Sequence, residues 1–237
     1  EYTTGEWRHG VYMLSANKIT INDFHSNDSG GDGFYIGTST PTGFCDSIVL
    51  NNCFSDNNKR QGLSITSVKN LYVYGGKYSG TIGTNPQFGI DIEPNLATNF
   101  IENVNLIGVK TSNNSGGGIS VVPNQLVNTI SINITDCISI DDRMGLFFTN
   151  PHDSIKLSGN ITVNNFKHFN TRGSGIILNG WNEFAPKIIL KNCYGENVGY
   201  TLSGTPNRCG IYFSVEVSSW GTWFGNVEII NYELNDT

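Results

Sequence analysis

The sequence predicts an all-β fold, a right-handed single-stranded parallel β-helix of about eight coils. Three observations predict it: a Gly-led strand motif that recurs eight times, a second strand motif between successive copies, and a composition rich in turn residues. The 237 residues include 28 glycines, and only 14% of the residues are charged. This composition is typical of turn-rich β proteins and not of helical bundles. We expect one domain over residues 1–237.

The first motif begins with Gly and alternates apolar side chains with other residues. Successive glycines of the motif lie 23, 29, 27, 29, 27, 30 and 35 residues apart. A near-regular period of this length indicates a solenoid, whereas propeller blades need longer periods and leucine-rich repeats need a Leu/Asn signature. The eight copies are GVYML (10–14), GFYIG (33–37), GLSIT (62–66), GIDIE (89–93), GISVV (118–122), GLFFT (145–149), GIILN (175–179) and GIYFS (210–214).

A second apolar strand motif follows each Gly-led motif, so each repeat supplies at least two short strands. Strands of this kind cannot bury their apolar faces alone, but stacked repeats form a continuous core and parallel sheets. The copies are NKITINDF (17–24), DSIVLNNC (46–53), NLYVYGGK (70–77), NVNLIGVK (103–110), TISINITDC (129–137), NITVNNF (160–166), KIILKNC (187–193) and NVEIINY (226–232).

The Gly-led strands have one uniformly apolar face. Side chains alternate between the two faces of a strand, so the first and third residues after each Gly share one face. Every residue at these positions is apolar, which predicts that the face forms the core ladder. The positions are Val11, Met13, Phe34, Ile36, Leu63, Ile65, Ile90, Ile92, Ile119, Val121, Leu146, Phe148, Ile176, Leu178, Ile211 and Phe213.

The opposite face mixes aromatic, hydroxyl and carboxylate side chains. It includes Tyr12, Tyr35, Ser64, Ser120 and Phe147. We interpret it as an exposed glycan-binding surface, because aromatic rings beside polar groups suit sugar rings. The alternative is that the aromatic residues are strand formers covered by loops or by a neighbouring subunit.

The arginines recur near the start of the Gly-led strands. Four of the five lie two residues before an aligned Gly and the fifth lies three before, so they should border one sheet. Arg60 and Arg143 are the candidates for holding carboxylate or phosphate groups of a polymer. The alternative is that the arginines pair with turn carboxylates such as Asp32 or Asp142. The five are Arg8, Arg60, Arg143, Arg172 and Arg208.

Asp91 and Glu93 in GIDIEPN (89–95) form the clearest candidate catalytic pair. They share one strand face, which we expect to be exposed, and adjacent like charges there cost stability without serving the fold. Two carboxyl groups with different pKa values can act as acid and as base or nucleophile in glycoside cleavage. Asp32, in GGDGFYIG, is a third candidate at the border of the groove, although Asp at such a position is commonly a turn residue.

Other classes of site and partner are not expected. Neither nucleic acid binding nor membrane insertion is expected, because the net charge is −6, no Lys/Arg-rich run occurs, and apolar runs are short. The sequence lacks Cys/His zinc spacings, so no metal site is predicted. An odd number of cysteines in a chain of this length predicts free thiols. They are Cys45, Cys53, Cys137, Cys193 and Cys209.

The first 95 residues resemble a known family. GEWRHGVYML (5–14), GGDGFYIG (30–37), NKRQGLSIT (58–66) and NLYVYGGKYSGTIGTNPQFGIDIEPN (70–95) are similar to the pectate-lyase-like β-helix of bacteriophage tailspikes and capsule depolymerases. The later residues share only the repeat pattern. The resemblance implies a homotrimeric, extracellular spike on the virion tail, of which this chain is the central part. It further implies hydrolysis of a bacterial capsule, O-antigen or teichoic acid, without a cofactor, by Asp91 and Glu93 with Asp32 and Arg60 nearby.

Two other functions remain open at this point. In a polysaccharide lyase, Asp32, Asp91 or Glu93 would hold Ca²⁺ against a uronate, and Arg60 would serve as the base. In a non-catalytic adhesin or fibre module, the outer face would only bind glycan. Loss of the carboxyl groups would abolish hydrolysis but would leave pure binding intact.

Overall fold

The fold is all-β in the computed structural model of the chain, which describes residues 4–123, 126–149, 156–199, 208–214 and 224–236. Every regular element in these ranges is a β-strand. The strands are β1 (Val11–Leu14), β2 (Asn17–Asn22), β3 (His25–Asn27), β4 (Phe34–Gly37), β5 (Cys45–Asn51), β6 (Phe54–Asp56), β7 (Leu63–Ile65), β8 (Val68–Tyr74), β9 (Lys77–Ser79), β10 (Phe88–Ile92), β11 (Ile101–Ile107), β12 (Lys110–Ser112), β13 (Gly117–Val121), β14 (Ile130–Thr135), β15 (Ile138–Ile140), β16 (Leu146–Thr149), β17 (Gly159–Asn164), β18 (Lys167–Phe169), β19 (Ile176–Asn179), β20 (Lys187–Glu196), β21 (Ile211–Ser214) and β22 (Val227–Asn235).

The strands form two long parallel sheets. The Gly-led strands make an eight-stranded sheet in the order β1, β4, β7, β10, β13, β16, β19 and β21. The second sheet has 14 strands: it runs from β2 through β5, β8, β11, β14 and β17 to β20, and returns through the short strands β18, β15, β12, β9, β6 and β3, with β22 paired to β20. The first strand of each repeat pairs with the first strand of the next repeat, and the second and third strands pair in the same way. This arrangement is consistent with the predicted parallel β-solenoid. We call the chain from one Gly-led strand to the next a repeat.

The register stacks equivalent residues of successive repeats. Ile90 in β10 lies opposite Leu63 in β7 and Ile119 in β13, as the alignment of the glycines predicts. Asp91 therefore lies between Ser64 and Ser120. A substitution in one repeat consequently acts directly on the equivalent positions of the repeats on either side.

The recurring glycines make room for a short third strand. The side chain of the middle residue of each short strand points inward. A Cβ at the aligned glycine would collide with this side chain. A Cβ on Gly33 would lie 2.2 Å from Oγ of Ser55, and one on Gly175 would lie 2.0 Å from the ring of His168. His168 itself is fully buried and contacts the hydroxyl of Tyr232 through Nε2 at 2.9 Å. Close packing between the Gly-led and short strands thus explains why Gly recurs.

Asn and Asp residues form the corners on both sides of the short strands. Asp23 and Asn52 hold left-handed φ angles of 52° and 49° before β3 and β6, and Asp28 and Asn57 hold 57° and 53° after them. Asn and Asp tolerate this conformation better than other residues with a Cβ. The amides also join repeats, since Asn52 donates to Asp23 at 2.7 Å and Asn57 to Asp28 at 2.6 Å. The abundance of Asn therefore has a structural role.

The interior contains the predicted core ladder with one exception. Thirteen of its sixteen members are buried, and Val11 and Ile211 at the two ends are partly buried. Phe213 was predicted to be in the core but is 44% exposed, because β21 is the last strand of its sheet and has a neighbour on one side only. All five cysteines are free thiols, as predicted, and four of them are buried.

None of the described residues forms a helix of the length and apolarity needed to cross a lipid bilayer.

Candidate functional site

A cleft that contains Asp91 and Glu93 lies over the N-terminal half of the eight-stranded sheet. Residues 4–9 cross this face of the sheet, and the amide of Gly5 donates to Oγ1 of Thr84 at 3.0 Å. The enclosed cavity measures about 60 Å³, room for about two water molecules, so a sugar would lie across its mouth and not inside it. The lining residues are Glu6, Trp7, His9, Tyr35, Arg60, Ser64, Thr66, Asp91, Glu93 and Asn95.

Asp91 is buried, which corrects the expectation that it projects from an exposed face. Only 3% of the residue is accessible to solvent, whereas Glu93 two residues later is half-buried. The cover comes partly from Glu6 and Trp7, which line the same cleft although they are more than 80 residues away in sequence. The two carboxyl groups therefore lie in different environments: Asp91 is shielded from solvent, whereas Glu93 is partly accessible to it.

Gln61 fixes the position of the Asp91 carboxyl. Its Nε2 donates to Oδ2 of Asp91 at 2.7 Å, and its Oε1 accepts from the amide of Phe88 at 2.6 Å. The backbone amide can only donate, so the side-chain amide of Gln61 cannot be turned round. Because Oδ2 of Asp91 already accepts a hydrogen bond, the proton of the neutral acid belongs on Oδ1.

Burial raises the pKa of Asp91 to about 8. The largest cause is desolvation of the carboxylate, and the nearby charge of Glu93 adds to it. Ser120 and Arg60 oppose the rise, since each favours the charged form. At neutral pH the neutral acid is thus the main form of Asp91, which is the state needed to donate a proton.

Asp32 is the second fully buried carboxyl group of the site. It accepts hydrogen bonds from Oγ of Ser64 at 2.9 Å and from the amide of Gln61 at 3.1 Å, and Nη1 of Arg60 lies 3.5 Å away. This realises the alternative interpretation of Arg60, in which the guanidinium pairs with a turn carboxylate. Because donors surround it, Asp32 serves to position other groups and not as the acid.

His9 also contacts Asp32. The backbone amide of Asp32 donates to Nδ1 of His9 at 3.2 Å, and the same nitrogen lies 3.3 Å from Oδ2 of Asp32. Since the amide must donate, we assign Nδ1 as the acceptor and place the proton of the ring on Nε2. This N–H is buried and has no hydrogen-bond partner.

Unsatisfied polar atoms concentrate at this site. Eight buried side-chain atoms in the described part of the chain have no partner that meets distance and angle criteria, and three belong to His9, Asp91 and Ser120. The atom of Asp91 is Oδ1, and Ser120 lies beside this carboxyl group without an ideal hydrogen-bond geometry. Buried polar atoms are rarely left unpaired, so the atoms of His9 and Asp91, which both line the cleft, indicate a place where a ligand or water completes the hydrogen bonds.

Four rings form an aromatic rim beside the cleft: Trp7, His9, Tyr12 and Tyr35. The His9 ring stacks on Tyr12 at 4.9 Å and lies 5.0 Å from Tyr35, and Trp7 meets its edge at 6.5 Å. Trp7 is 77% exposed and Tyr12 is 54% exposed, while Tyr35 is buried and bonded through its hydroxyl to Thr66. The exposed rings of Trp7 and Tyr12 place apolar surface beside the mouth.

The structure separates the remaining predicted residues from the cleft. Ser120 is buried beside Asp91 and does not line the cavity. Arg143 is exposed elsewhere, and Phe147 stacks on Phe88 at 5.9 Å. The predicted exposed outer face is therefore wrong for its centre, where loops and the N-terminal segment cover the strands.

Asp142 lies in the interior and not at the groove. It accepts hydrogen bonds from Thr111 and Ser139 on Oδ2, both at 2.7 Å, and from Asn114 on Oδ1. Burial raises its pKa to about 6 although these bonds favour the charged form. Its partners show a structural role, and it does not pair with Arg143.

Comparison with protein-family models, with curated proteins and with solved structures finds no match for this chain. The geometry of the cleft is therefore the guide to function. Among the residues that the structure describes, no group of three or more His, Cys, Asp or Glu side chains is placed to hold a metal ion.

Sequence reasoning did not identify His9, Gln61 and Trp7 as site residues. A signal existed for two of them, because His9, Asp32 and Gln61 all directly precede an aligned Gly and therefore stack in successive repeats. The amides of Gly10 and Gly33 confirm this stacking by bonding to the carbonyls of Asp32 and Gln61. Trp7 lacks such a signal, since its position depends on a non-local fold of the N-terminal segment.

Proposed function

We propose that the protein is a polysaccharide hydrolase that cleaves a bacterial surface glycan in the cleft at Asp91. The observation that carries this proposal is a buried, neutral carboxyl group in a cleft that it shares with a second, half-buried carboxyl group. Unequal carboxyl environments are the arrangement by which glycosidases separate acid from base or nucleophile. The aromatic rim supplies a stacking surface for sugar rings.

Each residue has a distinct role in this proposal. Asp91 donates the proton on Oδ1, through one water molecule in the cavity, to the leaving glycosidic oxygen, and Gln61 holds the other oxygen of that carboxyl group. Glu93, in the wetter environment, activates water or attacks the anomeric carbon. Asp32 orients the ring of His9 and the guanidinium of Arg60, which line the same wall. Trp7 and Tyr12 hold the glycan across the mouth.

The test is a hydrolysis assay on a panel of capsular, O-antigen and teichoic acid polymers. New reducing ends and a shorter polymer are expected from the wild type. Asp91→Asn and Glu93→Gln should each lower the rate at least about 100-fold, because general acid–base catalysis contributes about 10² to 10⁴. Asp23→Asn removes a carboxyl group at a corner that does not line the cleft, where Asn52 occupies the equivalent position of the next repeat, and should leave the rate unchanged.

Other outcomes of the same assay contradict the proposal. Products that absorb in the near ultraviolet, with activity lost in EDTA, would establish a Ca²⁺-dependent lyase. Binding without cleavage of any polymer in the panel would make the cleft a recognition site, as in the adhesin hypothesis. Full activity of both carboxyl variants would refute the assignment of the acid and its partner.

We further propose that the solenoid is right-handed, has about eight coils and belongs to a homotrimeric virion spike. The eight Gly-led strands, one in each repeat, support the number of coils. The resemblance of the first 95 residues to tailspikes supports the assembly. Measurement of the particle mass in solution tests it, since a trimer should have three times the mass of the chain and a monomer would refute it.

A further inference from the structure

A row of lysines occupies a second face of the molecule, away from the carboxyl cleft. The middle residues of the short strands β9, β12, β15 and β18 are buried, so the residues before them point outward. The register places these outward residues side by side in successive repeats. We call the row of Lys77, Lys110, Ile138 and Lys167 the lysine strip.

Like charges are adjacent in this strip. Lys77 and Lys110 lie directly opposite each other on neighbouring strands, which places their backbones about 4.8 Å apart. Like charges in this relation destabilise a sheet. No ion pair joins the three ammonium groups to an acidic side chain within the described ranges. Three of nine lysines thus gather without compensation on a chain whose net charge is −6.

The strip continues into an aromatic groove at its C-terminal end. Lys167 lies opposite Tyr194, and Tyr194 lies opposite Glu233 on β22. Phe169 and Tyr194 meet at 5.8 Å, and the Tyr194 hydroxyl donates to Glu196 at 2.8 Å, which holds its ring in place. The groove measures about 260 Å³, near the lower end of the size of small-ligand sites.

The groove also presents side-chain amides. Asn165, Asn192 and Asn231 line it together with Lys167, Phe169 and Tyr194. The amide nitrogens of Asn165 and Asn231 are held by Asp136 and by Asn192. The tilted aromatic pair and the fixed amides suit a sugar ring. Glu233 also lines the groove, so acidic groups of the polymer would meet the lysines of the strip beyond it.

We propose that the lysine strip and its groove bind an acidic polysaccharide, at a site separate from the carboxyl cleft. The groove holds one sugar ring on Phe169 and Tyr194, and the lysines hold carboxylate or phosphate groups of the following units. Lys110 and Lys167 are two strands apart, about 10 Å by strand spacing, so an extended chain with repeated negative charges can meet both. Single-stranded nucleic acid suits the site less well, because it stacks successive bases on several aromatic side chains and the strip has an aromatic pair at one end only.

The test is a binding titration on the full chain carrying Asp91→Asn, so that no polymer is cleaved during the measurement. The probes are hyaluronan and polysialic acid for carboxylates, poly(glycerol phosphate) for phosphates, neutral dextran, and single-stranded DNA. Lys77→Gln with Lys110→Gln should weaken binding of an acidic glycan at least about tenfold, or about 1.4 kcal/mol. Tyr194→Ala should weaken it as well, and binding should fall as salt rises.

A matched control separates the strip from general charge. Lys18→Gln with Lys191→Gln removes the same two charges from exposed positions on other strands and should change affinity less than about twofold. Preference for carboxylate or for phosphate polymers would identify the source of the anion, and either supports the site. Equal losses in both double variants, no affinity for any acidic glycan, or equally tight binding of DNA would overturn the proposal. Circular dichroism verifies that each variant is folded.

Discussion

Replacement of Asp91 by Asn should stabilise the protein while it abolishes cleavage. The unfolded chain ionises Asp91 near its ordinary pKa of 3.8, whereas the folded protein holds it neutral up to about pH 8. A raised pKa in the folded state contributes stability that is complete below pH 4 and is lost as the pH rises to 8. Asn resembles the neutral acid in shape, can accept from Gln61 in the same way, and does not ionise in either state.

The difference in unfolding free energy between the variant and the wild type follows from the width of this pH window. Each pH unit within it costs the wild type about 1.36 kcal/mol, so between pH 5 and pH 8 the difference between variant and wild type should grow by up to about 4 kcal/mol. Denaturant unfolding of both proteins at pH 5, 6.5 and 8 measures it, and contributions from other groups cancel in the difference. An unchanged difference across these pH values would mean that Asp91 is ionised in the folded protein. The assignment of Asp91 as the acid would then fail without any substrate having been used.

Three further predictions concern buried polar groups. Gln61→Leu leaves the amide of Phe88 and Oδ2 of Asp91 unpaired and should cost about 1–3 kcal/mol for each group. Gln61→Glu should cost less than Gln61→Leu in thermal unfolding at pH 4, where the neutral Glu side chain can accept from Phe88 and donate to Asp91. Asp142→Ala should destabilise the protein by about 2–5 kcal/mol because it leaves four buried hydrogen-bond donors without an acceptor. Asp142→Asn should be tolerated at pH 8, and equal effects of the two substitutions would refute this prediction. Burial lowers the pKa of His168 to about 4, so stability should fall by up to about 3 kcal/mol as the pH drops from 6.5 to 4. His168→Gln should remove this acid sensitivity in the same unfolding assay, and an unchanged sensitivity would contradict it.

The strands of the long sheets could be predicted from the sequence because their signals are local. Alternating side chains and the aligned glycines placed every Gly-led strand, and the register confirms the alignment. The short third strands had no comparable signal, since each has about three residues and an inward residue that is commonly polar. Ser55 and His168 are examples: both are buried, and neither resembles a core residue in sequence.

The site could be predicted only in part. Asp91 and Glu93 were identifiable because two acids interrupt a ladder of hydroxyl and apolar side chains. Their unequal burial was not identifiable, because it depends on Trp7 and the N-terminal segment, which reach the cleft through non-local contacts. Phe213 illustrates the converse error, since an apolar pattern does not reveal that its strand ends a sheet.

The nearly constant register has a consequence for how the chain folds. Paired residues such as Ile90 and Ile119 are 29 positions apart, about an eighth of the chain, which is a modest contact order for an all-β protein. No two strands in the described ranges form a hairpin that could begin folding, so two whole repeats must align before their contacts stabilise either one. After this costly first step, each added repeat gains an interface at once, and growth should proceed like a zipper from the nucleus toward both ends. Native-state hydrogen exchange should therefore be slowest in the central repeats and fastest in β1 and β22.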